Sequence, residues 1–105
     1  MKMIISGNAG KQLDAILEYS RQESEKYAAK LYNDIIDEIE GLLTFPQMAP
    51  VEPMLGEEVK MYRSLVVRRR YKVVYSVNDE AINVVDVWDC RQDPKRLRKR
   101  AMRGK

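Results

Sequence analysis

Histidine is absent from this sequence. That removes the side chain that most readily exchanges a proton near neutral pH. It excludes a Ser-His or Cys-His nucleophile, an imidazole general base and imidazole metal ligands. Any catalysis falls to Lys, Arg, Tyr or carboxylates. There is one cysteine, Cys90. A lone thiol excludes an internal disulfide and fits a reducing compartment. Long apolar runs are also missing. The patch around Met3 to Ile5 is too short for a signal-peptide core, and no later run approaches a membrane span. The expected location is cytoplasmic, with no membrane partner. Proline and glycine are scarce, at 4 and 5 residues. Three of those prolines and one glycine fall in FPQMAPVEPMLGEE, residues 45–58, which therefore reads as a connector.

What is present is a core-forming fraction and much charge. Hydrophobic residues make up 45% and charged residues 33% of the 105, which describes a soluble domain. The length suits one domain, 1–105, and not two. The net charge of +3 conceals an asymmetry: residues 1–58 hold 5 Lys+Arg against 11 Asp+Glu, and residues 59–105 hold 14 against 5. A polyanionic partner, either nucleic acid or an acidic protein segment, is to be sought through the second half. Residues 95–105, KRLRKRAMRGK, carry seven Lys or Arg. This basic C-terminal segment is either a solvated tail or an electrostatic arm.

Residues 1–6 read as a strand, and Asn8 as an N-cap before Lys11. Leu13, Ile16 and Leu17 begin an apolar stripe that Leu31, Ile35, Ile39 and Leu42 continue. One helix over 9–43 would be about 50 Å long, too long for this domain. The polar stretch Ser20 to Lys26 is the natural break, which gives a helical hairpin ending before Pro46. Three strands follow, at Val59 to Val67, Arg69 to Val77 and Ala81 to Trp88, with a turn at Asn78-Asp79-Glu80. Asp93 and Pro94 then offer a cap and first turn for a short terminal helix. The expected fold is α+β: a small, mainly antiparallel sheet in the order β-α-α-β-β-β with a helical hairpin on one face. Tyr71, Val73, Tyr75 and Val77 face the helices. Arg70, Lys72, Val74 and Ser76 lie on the face left open. Trp88 reads as a packed aromatic, Cys90 as a thiol with no base to activate it, and the six methionines as core filler.

Several stretches carry a family likeness. These are LDAILEYS (Leu13 to Ser20), IEGLLTFP (Ile39 to Pro46), YRSLVV (Tyr62 to Val67), YKVVYSV (Tyr71 to Val77) and DCRQDP (Asp89 to Pro94). In order and spacing, over almost the whole chain, they resemble the RelE/ParE superfamily of bacterial toxins. The resemblance implies a toxin of a type II toxin–antitoxin (plasmid stabilisation) module, neutralised by a cognate antitoxin and free of cofactors and metals. It also implies one of two activities. RelE-like members cut mRNA on the ribosome and are metal-independent endoribonucleases. ParE-like members poison DNA gyrase and are not nucleases. Under the RelE-like reading the catalytic residues are Arg63, Lys72 and Arg91. Leu97 stands where that branch carries a tyrosine, and Lys72 lacks the planar fork of the arginine it replaces. The ParE-like reading needs no such tyrosine and is favoured. Residues expected to touch the target or nucleic acid are Arg68, Arg70, Lys72, Arg91, Lys95, Arg96, Arg98, Lys99 and Arg100. A non-toxic basic nucleic-acid-binding module is the remaining alternative.

Overall fold

The structure, a computed structural model, describes residues 1–51 and 62–90. Strand β1 (Lys2–Ile5) leads into helices α1 (Gly7–Arg21) and α2 (Glu25–Gly41). Strands β2 (Arg63–Val67), β3 (Tyr71–Val77) and β4 (Ala81–Asp89) follow. The sheet order is β1-β4-β3-β2. β1 runs parallel to β4, and the other neighbours are antiparallel. This is the α+β arrangement the sequence implies. The helix proposed over Asp93 and Pro94 lies outside the described residues, as do residues 59–61 of the first proposed strand.

Serines set both helix starts. The Ala9 N–H donates to Ser6 Oγ at 3.0 Å, and the Tyr27 N–H to Ser24 Oγ at 3.1 Å. The expected cap Asn8 instead lies inside the first turn of α1. Its amide donates to the Val85 carbonyl at 2.9 Å. Between the helices, the Glu23 and Ser24 N–H groups both donate to the Ser20 carbonyl, closing α1 at the polar stretch where the break was expected. α2 ends at Gly41, ahead of Pro46.

The main core lies between the helices and one sheet face. Leu13 and Leu17 of α1 and Leu31, Ile35 and Ile39 of α2 pack with Tyr71, Val73, Tyr75, Ile82, Val84 and Val87. The Tyr75 hydroxyl donates to the Pro46 carbonyl at 2.9 Å, which fixes the chain leaving α2 against the sheet. A bulge lets Val84 and Val87 share the helix-facing side. Val74 pairs with Asp86 and Tyr75 with Val84, so Val85 is the extra residue. Its carbonyl accepts from Ser6 Oγ and Asn8 Nδ2. The bulge thus docks the N-terminus of α1.

The second sheet face differs from expectation. Tyr62, Val74 and Trp88 form a small buried cluster there with Val85 against it. Ser64, Ser76 and Asp86 are buried as well. The face carrying Lys72 is therefore not an open basic surface: alternation across β3 puts Val74 and Ser76 beside it, and both are covered. Trp88 is packed, as its position implied.

Candidate functional site

The three arginines 68–70 are not the start of a strand. They form the turn between β2 and β3. The Arg70 N–H donates to the Val67 carbonyl at 3.1 Å, and Arg68 and Arg69 have φ of 54° and 57°. The β-turn from Val67 to Arg70 thus has both central residues left-handed, a conformation for which Asn-Gly is the usual sequence. Here two arginines occupy those positions. Because Val67 pairs with Tyr71, Arg70 is an extra residue between turn and strand.

The flanking arginines are held by different elements. Arg68 Nε donates to Asp34 Oδ2 on α2 at 2.8 Å, and its guanidinium lies over the Tyr27 ring, 5.4 Å from the centroid. The Asp34 carboxylate raises the Arg68 pKa further above its ordinary value. Arg70 Nη2 donates to Asp89 Oδ2 at 3.2 Å, and its guanidinium lies 5.0 Å from the Tyr71 ring centroid. The Arg70 carbonyl accepts from the Cys90 N–H at 2.7 Å. Arg70 thus belongs to the helix side of the sheet. It lines a cavity of about 500 Å³ with Gln12, Ile16, Tyr19, Tyr71, Val87 and Asp89. Its buried Nε has no hydrogen-bond partner among the described residues. Burial raises the Tyr71 phenol above its ordinary pKa.

Arg63 and Lys72 are not brought together. Arg63 pairs with Tyr75 across β2 and β3, which puts its side chain on the helix-facing side. Its guanidinium donates to the Ala49 carbonyl at 2.7 Å and to that of Gln47 at 3.4 Å. Lys72 pairs with Val66 and Trp88, on the other face. Arg91, Lys95, Arg96, Arg98, Lys99 and Arg100 lie outside the described residues. Of the expected contact residues that are described, Arg68 and Arg70 share one turn and Lys72 adjoins it in sequence.

Sequence reasoning passed over Arg69, which is exposed at the centre of that turn. The available signal was spacing: two apolar runs, LVV and YKVVYSV, separated by a few polar residues. It was missed because arginine is not a residue that marks left-handed turns. At the far end of the sheet, Phe45, Met48 and Met1 are exposed around a second hollow, bounded by Pro46, Val77 and Asn78. Among the described residues, no group of three or more Cys, Asp or Glu is arranged to hold a metal ion. No described helix is long and apolar enough to cross a membrane.

Among solved structures, the chain is similar to one described as the chromosomal ParDE TA system from P. aeruginosa. Identity is 22% and the TM-score 0.69, covering 85% of this chain and 95% of that one. It also matches a conserved hypothetical protein from Helicobacter pylori solved in solution, at 16% identity and a TM-score of 0.44, covering 88% and 97% of the two chains. No curated protein matches the chain. The family model for the ParE toxin of type II toxin–antitoxin systems (parDE) matches residues 3–94. That match spans both helices, most of β1, the strands β2, β3 and β4, and the arginine turn, and the chain belongs to the ParE family of type II toxins.

Proposed function

We propose that the protein is a cytoplasmic toxin, neutralised by a cognate antitoxin, that acts by inhibiting DNA gyrase. The whole chain, 1–105, is one toxin domain with a basic segment at 95–105. The observation that carries the choice of gyrase over mRNA is the separation of Arg63 from Lys72. Cleavage by a ribose 2′-hydroxyl needs a base, cations around the phosphorane and a proton donor, all converging on one phosphate. Arg63 is spent on two loop carbonyls on the helix side of the sheet, and Lys72 lies on the opposite face. By the resemblance, the acid–base tyrosine of the ribonuclease branch would fall at position 97, which is leucine. Loss of a general acid lowers rates by about 10²–10⁴-fold, which would make a poor ribosomal nuclease. A toxin that works by binding needs no such convergence.

The antitoxin reading is supported by family membership and by the charge of the second half. The acidic tail of a partner would find its complement there. The test sets a gyrase supercoiling assay beside a translating extract whose mRNA is mapped by primer extension. Trapped gyrase–DNA cleavage complexes with intact mRNA are expected. Codon-phased cuts that vanish in Lys72→Ala would overturn the assignment. Induction of the wild-type chain should arrest growth, and co-expression of the antitoxin should relieve the arrest.

A further inference from the structure

We propose that Arg69 is a presented contact residue, held out at the tip of the β2–β3 hairpin to pair with a carboxylate on the protein that the toxin acts on. The proposal rests on the toxin reading above but not on which protein the target is.

Three observations carry it. The first is a division of labour within one turn. Arg68 is fastened to Asp34 and Tyr27 on α2, and Arg70 to Asp89 on β4 and to the Tyr71 ring. Both ends of the turn are thereby tied to different parts of the fold. Arg69 between them is exposed and makes no hydrogen bond, ion pair or ring contact among the described residues. The second is the backbone. Arg69 sits at φ 57°, a conformation that side chains other than Asn and Asp seldom adopt and that Gly adopts freely. Nothing among the described residues repays arginine for that position. Such outliers gather where a side chain is needed for contact with something else.

The third observation selects the partner. Among the described residues, 10 Lys and Arg stand against 12 Asp and Glu, so they carry no net positive charge. Asp34, Asp37 and Glu38 flank Arg68 around one hollow beside the turn. A run of phosphates laid along this tip would meet those carboxylates. A single carboxylate on a protein needs only the planar fork of Arg69, which grips it through two parallel N–H donors.

The experiment compares Arg69→Gly, Arg69→Lys and Arg69→Glu with wild type. It reads thermal stability, growth arrest on induction, capture of co-expressed antitoxin, and affinity for a fluorescent DNA duplex. Gly suits the left-handed position, so Arg69→Gly should raise Tm by about 3 °C. It should also weaken binding to the target by about 10- to 100-fold, the loss of one charge-assisted pair, and growth arrest should fall accordingly. Arg69→Lys should retain part of the activity and Arg69→Glu none. Antitoxin capture and DNA affinity should stay at wild-type levels. Full growth arrest by Arg69→Gly would overturn the proposal, and so would a fall in Tm. Loss of antitoxin capture would assign Arg69 to the wrong partner, and loss of DNA affinity would replace the carboxylate with phosphate; either result refutes the proposal. Wild-type arrest without gyrase inhibition would refute the gyrase assignment alone, since growth arrest still reads the role of Arg69.

Discussion

The sheet contains two hairpin turns, and they solve the same problem in opposite ways. Between β3 and β4, Asn78 caps its own turn: Oδ1 accepts from the Glu80 N–H at 2.9 Å and the Ala81 N–H at 2.8 Å, and the Asn78 N–H donates to the Ala81 carbonyl. No residue there has a positive φ. Between β2 and β3, Arg68 and Arg69 hold left-handed conformations, and the turn is secured at its two ends by residues distant in sequence, Arg68 by Asp34 and Tyr27 and Arg70 by Asp89. The first turn is closed by local chemistry. The second depends on the tertiary fold already being in place. A turn of that kind makes little sense as a device for folding and good sense as a device for display.

Strand β3 joins the two turns. Tyr75 is fully buried in the middle of that strand and bonded to the Pro46 carbonyl. Tyr75→Ala should cost about 3–5 kcal/mol in urea denaturation, by analogy with other buried aromatics, and should loosen both turns together. Loss of one turn alone, read by amide exchange, would show that the strand does not couple them.

The same strand makes the fold sensitive to alkali. Burial raises the phenol pKa values of Tyr71 and Tyr75 above the ordinary 10.0. The folded state then holds those protons more tightly than the unfolded state does. Their contribution is fully present below pH 10.0 and is lost as pH rises through the raised folded values. Stability should therefore fall on the alkaline side, and Tyr75→Phe should flatten the fall. An unchanged alkaline profile in that variant would assign the loss to other groups.

Asn78→Ala removes both side-chain bonds of the local turn and should destabilise the protein by about 1 kcal/mol, with no effect on growth arrest. Asp34→Ala should act less on stability, by about 0.5 kcal/mol and less at high salt, because the pair with Arg68 is partly exposed. It should nonetheless weaken growth arrest, since it frees one end of the arginine turn. If Asn78→Ala impairs toxicity as much as Asp34→Ala, the distinction between the turns fails.

The asymmetry between the turns also decided what could be read from the sequence. Asn78-Asp79-Glu80 was legible because asparagine bonds to its own backbone wherever it stands in a turn. The helical hairpin was legible because the stripe from Leu13 to Leu42 needs a sheet to cover it and the polar stretch after Ser20 breaks it. The arginine turn was not, because its residues are stabilised by Asp34 and Asp89, 34 and 19 positions away. For the same reason pattern alone reads Arg69 to Val77 as one strand, with Arg70 on an open face. The sequence does not separate Ser6 from Asn8 as the helix cap, because both are good caps; in the fold Ser6 accepts from the Ala9 N–H, while the Asn8 amide goes to the carbonyl of the Val85 bulge. The bulge itself leaves no trace in VVDV. Without it, simple alternation could not say that Val84 and Val87 share a face. The separation of Arg63 from Lys72 needed strand register, which no spacing along the chain supplies.

The most direct test of this account is a pair of thermal melts on one protein background, Arg69→Gly against Asn78→Ala. The two turns flank the same strand of one sheet, so the comparison sets what each residue does for its own backbone side by side. The account predicts shifts of opposite sign: Tm rises in Arg69→Gly, because the left-handed position at φ 57° is relieved, and falls in Asn78→Ala, because two backbone N–H groups lose their acceptor. A fall in both would mean that Arg69 stabilises its turn as Asn78 does. The arginine tip would then be part of the scaffold, and the case for a presented contact would collapse.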